Sequence, residues 1–372
     1  MATRAADLLG VVHARPGVTR AEATRVVGMG TGAAAEVVAR LVHDRLLGET
    51  PAPPSGSRGR PTTLLAAHPQ GPLVLAAEIT HAAWRVRAVE LGGGVLAAEQ
   101  GEHGSTTWES VRAEVAAAAQ ALRRSYDGRV RALGVAVPGP VSAALRADAV
   151  SLGWRDVDLR RLWPEAPVLV AGNDATLAAA AESRRGAAAD ASVVLHLRVE
   201  AGLGGAVVDH GVPLSGATGA AGEFGHMPFG DPAVACPCGA AGCWGTAVDG
   251  TALARLLGRT APRDHVAYAR RLIRGAVPGS PERDAVEAVA AALGRGTAGL
   301  VNGIDADVVT LAGLGVDLLD AAPRELGAAY RAGLMAYRRQ SPPPLVPAAL
   351  GEDGPVVGAA DQAWASLVST LA

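Results

Sequence analysis

Residues 219–250 read GAAGEFGHMPFGDPAVACPCGAAGCWGTAVDG, and within them His226, Cys236, Cys238 and Cys243 form an H-x9-C-x-C-x4-C array. That array holds all three cysteines of the 372-residue chain and one of its nine histidines. Three thiolates and an imidazole make a Cys3His set suited to tetrahedral zinc, and the small residues Gly239, Ala240, Ala241 and Gly242 give a loop able to curl back on one ion. Four protein ligands leave no open position for a catalytic water, so a zinc ion held here is structural. Two other readings remain, ordinary buried thiols or one disulfide with a cysteine left over, but neither explains why no cysteine occurs elsewhere. Glu223 stands three residues before His226, which raises the question of whether the same loop also touches a ligand.

A chain of this length that is 49% hydrophobic can fill two or three domain cores. Its net charge of -2 argues against a polyanion-binding surface over the whole protein, so any nucleic-acid contact must be local. Only a short apolar run follows Arg4 and Asp7, and no apolar stretch reaches spanning length. The expectation is a soluble, cytoplasmic protein with no membrane partner, a setting that also favours metal over disulfide. Every basic side chain other than histidine is arginine.

Residues 5–50 read as three short helices. Residues 6–13 are apolar at helical spacing, Arg15-Pro16-Gly17 breaks the run, and Thr19 followed by Glu22 has the form of a capping box. Gly28-Met29-Gly30 supplies a turn and residues 31–43 a third helix with Val37, Val38, Leu41 and Val42 on one side; Leu46-Leu47 then opens a strand. Helix, short turn, helix is the arrangement that lays a second helix in a DNA major groove. The segment Ser55-Gly56-Ser57-Arg58-Gly59-Arg60-Pro61 could form a wing whose arginines enter a narrow minor groove. Candidate DNA contacts are Thr19, Arg20, Thr31, Arg40, Arg58 and Arg60. A helical oligomerisation module is the competing reading, because the start of the third helix offers Thr31 and little else to bases.

After Pro72 the pattern changes to alternating strand and helix. Residues 73–79, 85–90 and 95–98 suggest a meander, 108–124 a helix, 131–137 a buried strand ending in Pro138-Gly139-Pro140, and 168–171 another strand followed by Asn173-Asp174 and a helix over 175–184. Strands over 192–198, 204–208 and 308–312, with helical stretches near 251–274 and 281–300, complete a repeated βββαβα layout. Ligands in such sheets collect beyond the carboxyl ends of strands, where Asn173, Asp174 and residues 201–205 lie.

The series GVAVPGP (134–140), NDA (173–175), GLGG (202–205), GAAGEFGH (219–226) and the C-x-C-G-x2-G-C core closely resembles the ROK family of repressors and sugar kinases, with Gly59-Arg60-Pro61 matching the wing of its repressors. The resemblance implies an α/β protein: a winged helix-turn-helix ahead of a two-lobed, actin-like ATPase core with a sugar cleft between the lobes and a structural zinc loop. The expected division is a DNA-binding domain with its wing and linker over residues 1–71 and a ROK core over 72–372. Within the core, residues 72–185 plus a closing helix over about 358–372 make the small lobe, and 186–357 the large lobe with the zinc loop at 219–250. By resemblance, Asn173 and Asp174 stand where kinases bind sugar and hold the general base, and Glu223 and His226 bind sugar hydroxyls while His226 also ligates zinc. The family's usual state is a homodimer or a dimer of dimers.

Two departures matter. The family usually has a sugar-contacting Glu two residues after the last zinc cysteine, where this chain has Gly245. Kinases open the core with a D-x-G-G-T phosphate loop, where this chain has Glu78-Ile79-Thr80-His81, a glycine-free segment unsuited to cradling phosphate. Asp174 then becomes a vestigial base, either an acceptor for a ligand hydroxyl or a cap on the following helix. Gly202–Gly205 keeps a form able to approach phosphate but is equally a tight turn, and Trp154 reads as a packing residue. The expected function is a repressor that binds a double-stranded operator, responds to a sugar or sugar phosphate and lacks phosphotransfer; a sugar kinase and a degenerate scaffold are the alternatives.

Overall fold

The chain begins with α1 (Ala2–Ala14), α2 (Arg20–Val26) and α3 (Thr31–His43), followed by β1 (Leu47–Pro51) and β2 (Thr63–Ala67), which pair antiparallel. The computed structural model describes residues 2–51, 63–260 and 263–371. Thr19 caps α2 as its spacing suggests: its hydroxyl accepts the Glu22 amide at 3.1 Å, and the Glu22 carboxylate accepts the Thr19 amide at 3.1 Å. Leu8, Leu9 and Val12 of α1 and Val37, Val38 and Leu41 of α3 are buried, as their three-and-four spacing requires. Arg58 and Arg60 lie outside the described residues.

The described chain divides into two compact units, one from residues 1–137, 158–172 and 356–372, the other from 138–157 and 173–355. In the first, β3 (Leu73–Ile79), β4 (Ala83–Val89) and β5 (Val95–Glu102) form an antiparallel meander; α4 (Trp108–Ser125) leads to β6 (Val130–Val137), parallel to β3. All seven residues of β3 are buried, the pattern of a strand covered on both faces. The short strands β7 (Arg146–Ala149) and β8 (Trp154–Asp158) make a separate two-stranded sheet, and β9 (Val168–Asn173) completes the order β5-β4-β3-β6-β9. Trp154 is buried, in keeping with a packing role.

The second unit carries α5 (Asp174–Arg185), β10 (Val193–Val199), β11 (Leu203–Asp209) and β12 (Val212–Pro213), then α6 (Gly245–Val248), α7 (Gly250–Leu256), α8 (His265–Gly275) and α9 (Pro281–Ile304). It ends with β13 (Val308–Gly313), α10 (Leu314–Ala321), α11 (Pro323–Gly333), α12 (Ala336–Gln340) and β14 (Leu345–Pro347); α13 (Gly354–Leu371) closes the chain. The sheet order is β12-β11-β10-β13-β14, the first three strands antiparallel and the last two parallel to β10. Its alternation is clean. Leu195, Leu197, Val199, Val309 and Leu311 join the large helical core, whereas Val194, Ala206, Val208 and Val308 form the smaller cluster with Ala179 of α5. Helix α5 packs on β10 and β11 within this unit. Leu345–Pro347 forms the edge strand β14, parallel to β13. Among the described residues no helix is long and apolar enough to cross a membrane.

Candidate metal centre and ligand site

The loop between β12 and α6 brings the four expected metal ligands together. Cys236 Sγ lies 3.7 Å from His226 Nδ1, Cys238 Sγ lies 3.7 Å from Cys243 Sγ, and all four ligand atoms fall within 4.8 Å of one another. Metal–sulfur bonds of about 2.3 Å give a tetrahedral edge of about 3.8 Å, so this cluster suits a single zinc-sized ion. A disulfide is excluded, because bonded sulfurs stand about 2 Å apart. The turn is built from the Cys236 amide donating to Ala240 O at 2.8 Å and the Gly239 amide donating to Cys236 O at 3.0 Å. Gly239 and Gly242, at φ +98° and +74°, supply the curl that the small residues suggested. Burial pushes the Cys243 thiol up to about 12, whereas the Ala240 amide, above all, lowers Cys238.

Trp244 ties this loop to the core. It is fully buried, its indole donates to Ala292 O of α9 at 3.1 Å, and Phe229 meets its ring edge-on at 5.8 Å. The other end of the loop is seated on β11 by glycines. A Cβ at Gly222, which has φ +95°, would lie 2.2 Å from Gly205 O, and one at Gly225 would lie 2.2 Å from Leu203 O. These contacts set the short helical turn Phe224–His226 directly on β11. The GLGG segment therefore serves as the seat of the His226 loop.

With Nδ1 turned to the thiols, His226 Nε2 stands 3.6 Å from Glu223 Oε2. An imidazole bound to metal through one nitrogen is oriented by what the other meets, and here that partner is the expected ligand-binding carboxylate. Burial raises the Glu223 carboxyl, with His226 opposing and Asp174 adding to the effect. At Gly245 an added Cβ would stand 3.3 Å from Gly225 O, so the position is tight as well as bare of a carboxylate.

Asn173 and Asp174 sit at the junction of β9 and α5, and the structure divides their roles. The cap of α5 is Asn173, whose Oδ1 accepts the Thr176 amide at 3.1 Å while its Nδ2 donates to Gly139 O at 3.2 Å. Asp174 is the first residue of the helix, not its cap. Its Oδ2 lies 4.0 Å from Arg198 Nε, and Arg198 NH2 lies 3.4 Å from Glu200 Oε1. Burial raises both carboxyls, and the Arg198 guanidinium opposes that rise in each. Arg198 and Glu200 were missed from the sequence, although a charged residue inside the apolar run VVLHLRV of β10 was a usable signal. His196, on the same face, is held by Thr310 Oγ1 at 2.8 Å; burial and the neighbouring Arg198 push it down to about 3.

In the first unit the glycine-free segment closes on itself. The Thr80 hydroxyl accepts the amides of Ala82 at 3.3 Å and Ala83 at 3.0 Å, and the Thr80 amide donates to Ala83 O at 2.8 Å. Three of the backbone donors of this turn, those of Thr80, Ala82 and Ala83, are thus used within it. Glu78 is buried and ion-paired with Arg85 of β4. Among the expected DNA contacts, Thr31 and Arg40 are exposed on α3, the Thr19 hydroxyl is engaged in its cap, and Arg20 pairs with Glu49 at 3.2 Å.

The ROK family model matches residues 78–365. The chain belongs to the ROK family. A kanosamine kinase from Amycolatopsis mediterranei is 32% identical over 247 residues, 64% of this chain and 78% of that one. A glucokinase from Halalkalibacterium halodurans is 35% identical over 130 residues, 33% of this chain and only 39% of its own length. A solved ROK family transcriptional regulator, described as a homologue of E. coli MLC protein, shares the fold over 100% of this chain and 99% of its own, with TM-score 0.78 at 20% identity. The core is thus the α/β actin-like fold of ROK sugar kinases, and the N-terminal helical region resembles that of the regulator.

Proposed function

We propose that this ROK protein is a DNA-binding transcriptional regulator, acting as a repressor, whose kinase-like core binds a sugar or sugar phosphate and performs no phosphotransfer. The observation that carries the reading is the N-terminal module. The ROK match begins at residue 78, yet the regulator's fold covers the whole chain, including the three helices and the β1–β2 pair. Residues 1–71 hold eight arginines against five acidic residues in a chain of net charge -2, which concentrates positive charge where DNA would be met. In this reading the module is a winged helix-turn-helix. Thr31 and Arg40 face DNA from α3, Thr19 and Arg20 lie at the start of α2, and Arg58 and Arg60, outside the described residues, are the expected wing contacts.

In the core, Asn173, Asp174, Glu223 and His226 receive ligand hydroxyls, with Asp174 an acceptor. Zinc, held by His226 Nδ1, Cys236, Cys238 and Cys243, is structural and fixes the imidazole beside Glu223. Loss of phosphotransfer is supported by the Thr80 turn, whose amides are spent internally, and by the Glu78–Arg85 pair. The protein works in the cytoplasm as a homodimer or homotetramer, its two-fold symmetry matched to paired half-sites, and ligand binding changes the spacing of its two reading helices. The remaining division, a core over 72–372 of two lobes with the zinc loop at 219–250, belongs to the same reading.

Selection from a genomic DNA library with the zinc-loaded protein tests it. Enrichment of paired half-sites is expected; failure to enrich any sequence at moderate salt would sink the regulator. Arg58→Ala/Arg60→Ala should weaken binding and reduce the slope of log K against log salt by about two phosphate contacts' worth. The kanosamine kinase match and the Asn173-Asp174 pair favour a second reading, a sugar kinase. ATP turnover above background with a panel of hexoses and amino sugars would overturn the assignment above.

A further inference from the structure

Glu182 lies inside α5, 1% exposed, and none of its described side-chain hydrogen bonds goes to the metal loop. Its carboxylate instead accepts three backbone amides: Ala187 at 2.7 Å, Ala349 at 3.1 Å and Leu350 at 2.6 Å. Ala349 and Leu350 immediately precede the turn that opens α13. The first residue of that helix, Gly354, also lies against α5, since a Cβ there would stand 3.1 Å from Ala178 Cβ. Helix α5 therefore holds the segment just ahead of α13 by hydrogen bonds and the first residue of that helix by direct packing.

Further along the same helix, Asp361 is buried and its Oδ1 lies 2.9 Å from His13 Nε2 of α1. The Gly92 amide, in the turn between β4 and β5, donates to His13 Nδ1 at 3.0 Å, which leaves Nε2 as the donor to Asp361. Trp364 stacks obliquely on the same imidazole at 5.7 Å. His13 is thus held on both ring nitrogens and one face, and α1 in turn packs on α2 and α3. Gly354 and Asp361 are two turns apart on one continuous helix, about 10 Å along its axis. A continuous helix is one kind of rigid element through which two such contacts can be coupled.

We propose that α13 is the element through which the state of α5, whose first turn carries Asn173 and Asp174, reaches the three N-terminal helices. Glu182 at one end and the His13–Asp361 pair at the other are positioning contacts. The biological meaning rests on the regulator reading, but the coupling itself requires neither DNA nor ligand, so the two can fail separately. Binding at the α5 N-terminus would shift a two-position equilibrium of α13 and so bias the orientation of α1 to α3.

Hydrogen exchange on the full-length, zinc-loaded protein tests the coupling. Glu182→Gln should speed exchange at least threefold in residues 349–353 and also in α1 and residues 90–94. In a His13→Phe/Asp361→Leu background, which leaves no buried charge unpaired, Glu182→Gln should still act on 349–353 but no longer on α1. Coupling being reciprocal, the His13→Phe/Asp361→Leu protein alone should show faster exchange at 349–353; this arm stands even where Glu182→Gln does not fold. A Glu182→Gln effect confined to 349–353, an α1 effect that persists in the double background, or unchanged exchange at 349–353 in the double variant would each overturn the proposal.

Discussion

The turn from β3 to β4 and the turn from β10 to β11 hold the same place in two sheets of the same strand order, yet they have been put to opposite uses. The first, Ile79-Thr80-His81-Ala82, folds the amides of Ala82 and Ala83 onto the Thr80 hydroxyl. The second leads from Arg198 and Glu200 into glycines against which the Glu223–His226 turn is seated. One topology thus yields a sealed hairpin in one unit and a platform for the metal loop in the other. What separates them is side-chain volume. Thr80 supplies an internal acceptor, whereas Gly205, Gly222 and Gly225 permit backbone to lie on backbone.

Cys238→Ser should have the largest effect. It removes one of four ligands, and metal analysis should show loss of the bound ion with a fall in Tm of roughly 10 °C or more. An unchanged Tm after verified metal loss would detach the loop from the stability of its unit. Gly222→Ala comes next, since it combines φ +95° with a Cβ 2.2 Å from Gly205 O. A destabilisation of about 3 kcal/mol in chemical denaturation is expected, with lower metal occupancy. Retained occupancy would mean that β11 is not the seat.

His196 offers a pH-dependent test on the platform side. Its folded-state value near 3 lies below the unfolded 6.5, so between these the unfolded chain binds the extra proton. The stability contributed by neutral His196 is complete above about pH 6.5 and is lost as pH falls towards 3, by roughly 1.5 kcal/mol between pH 6.5 and 5. His196→Leu/Thr310→Val, which removes both partners of the hydrogen bond, should flatten that part of the stability profile. The same acid slope in wild type and variant would assign it to other groups. Smallest of all, Thr80→Ala should cost about 1 kcal/mol in the sealed turn and leave metal content unchanged. A change in metal content would break the contrast between the two turns.

Much of this was legible in the residues themselves. The capping box of α2, the helix over 31–43, the strand over 73–79 and the four clustered ligands are all written in short-range spacing, and each formed as its spacing indicated. Asn173 and Asp174 were found, but their division of labour was not. Either side chain can cap a helix, and only backbone geometry chooses Asn173. Strand β14 had no signal in the sequence, because three residues after a run of prolines carry no period to detect.

The sequence by itself determined the Cys3His cluster and the order of elements, because both depend on residues within a few positions of one another. Only the tertiary structure decided that GLGG is a seat, that Arg198 stands between Asp174 and Glu200, and that Glu182 holds Leu350 from 168 residues away. His13 and Asp361 are 348 residues apart. No local pattern encodes such pairs, because they form only when sheet order and helix packing bring distant segments within hydrogen-bonding reach.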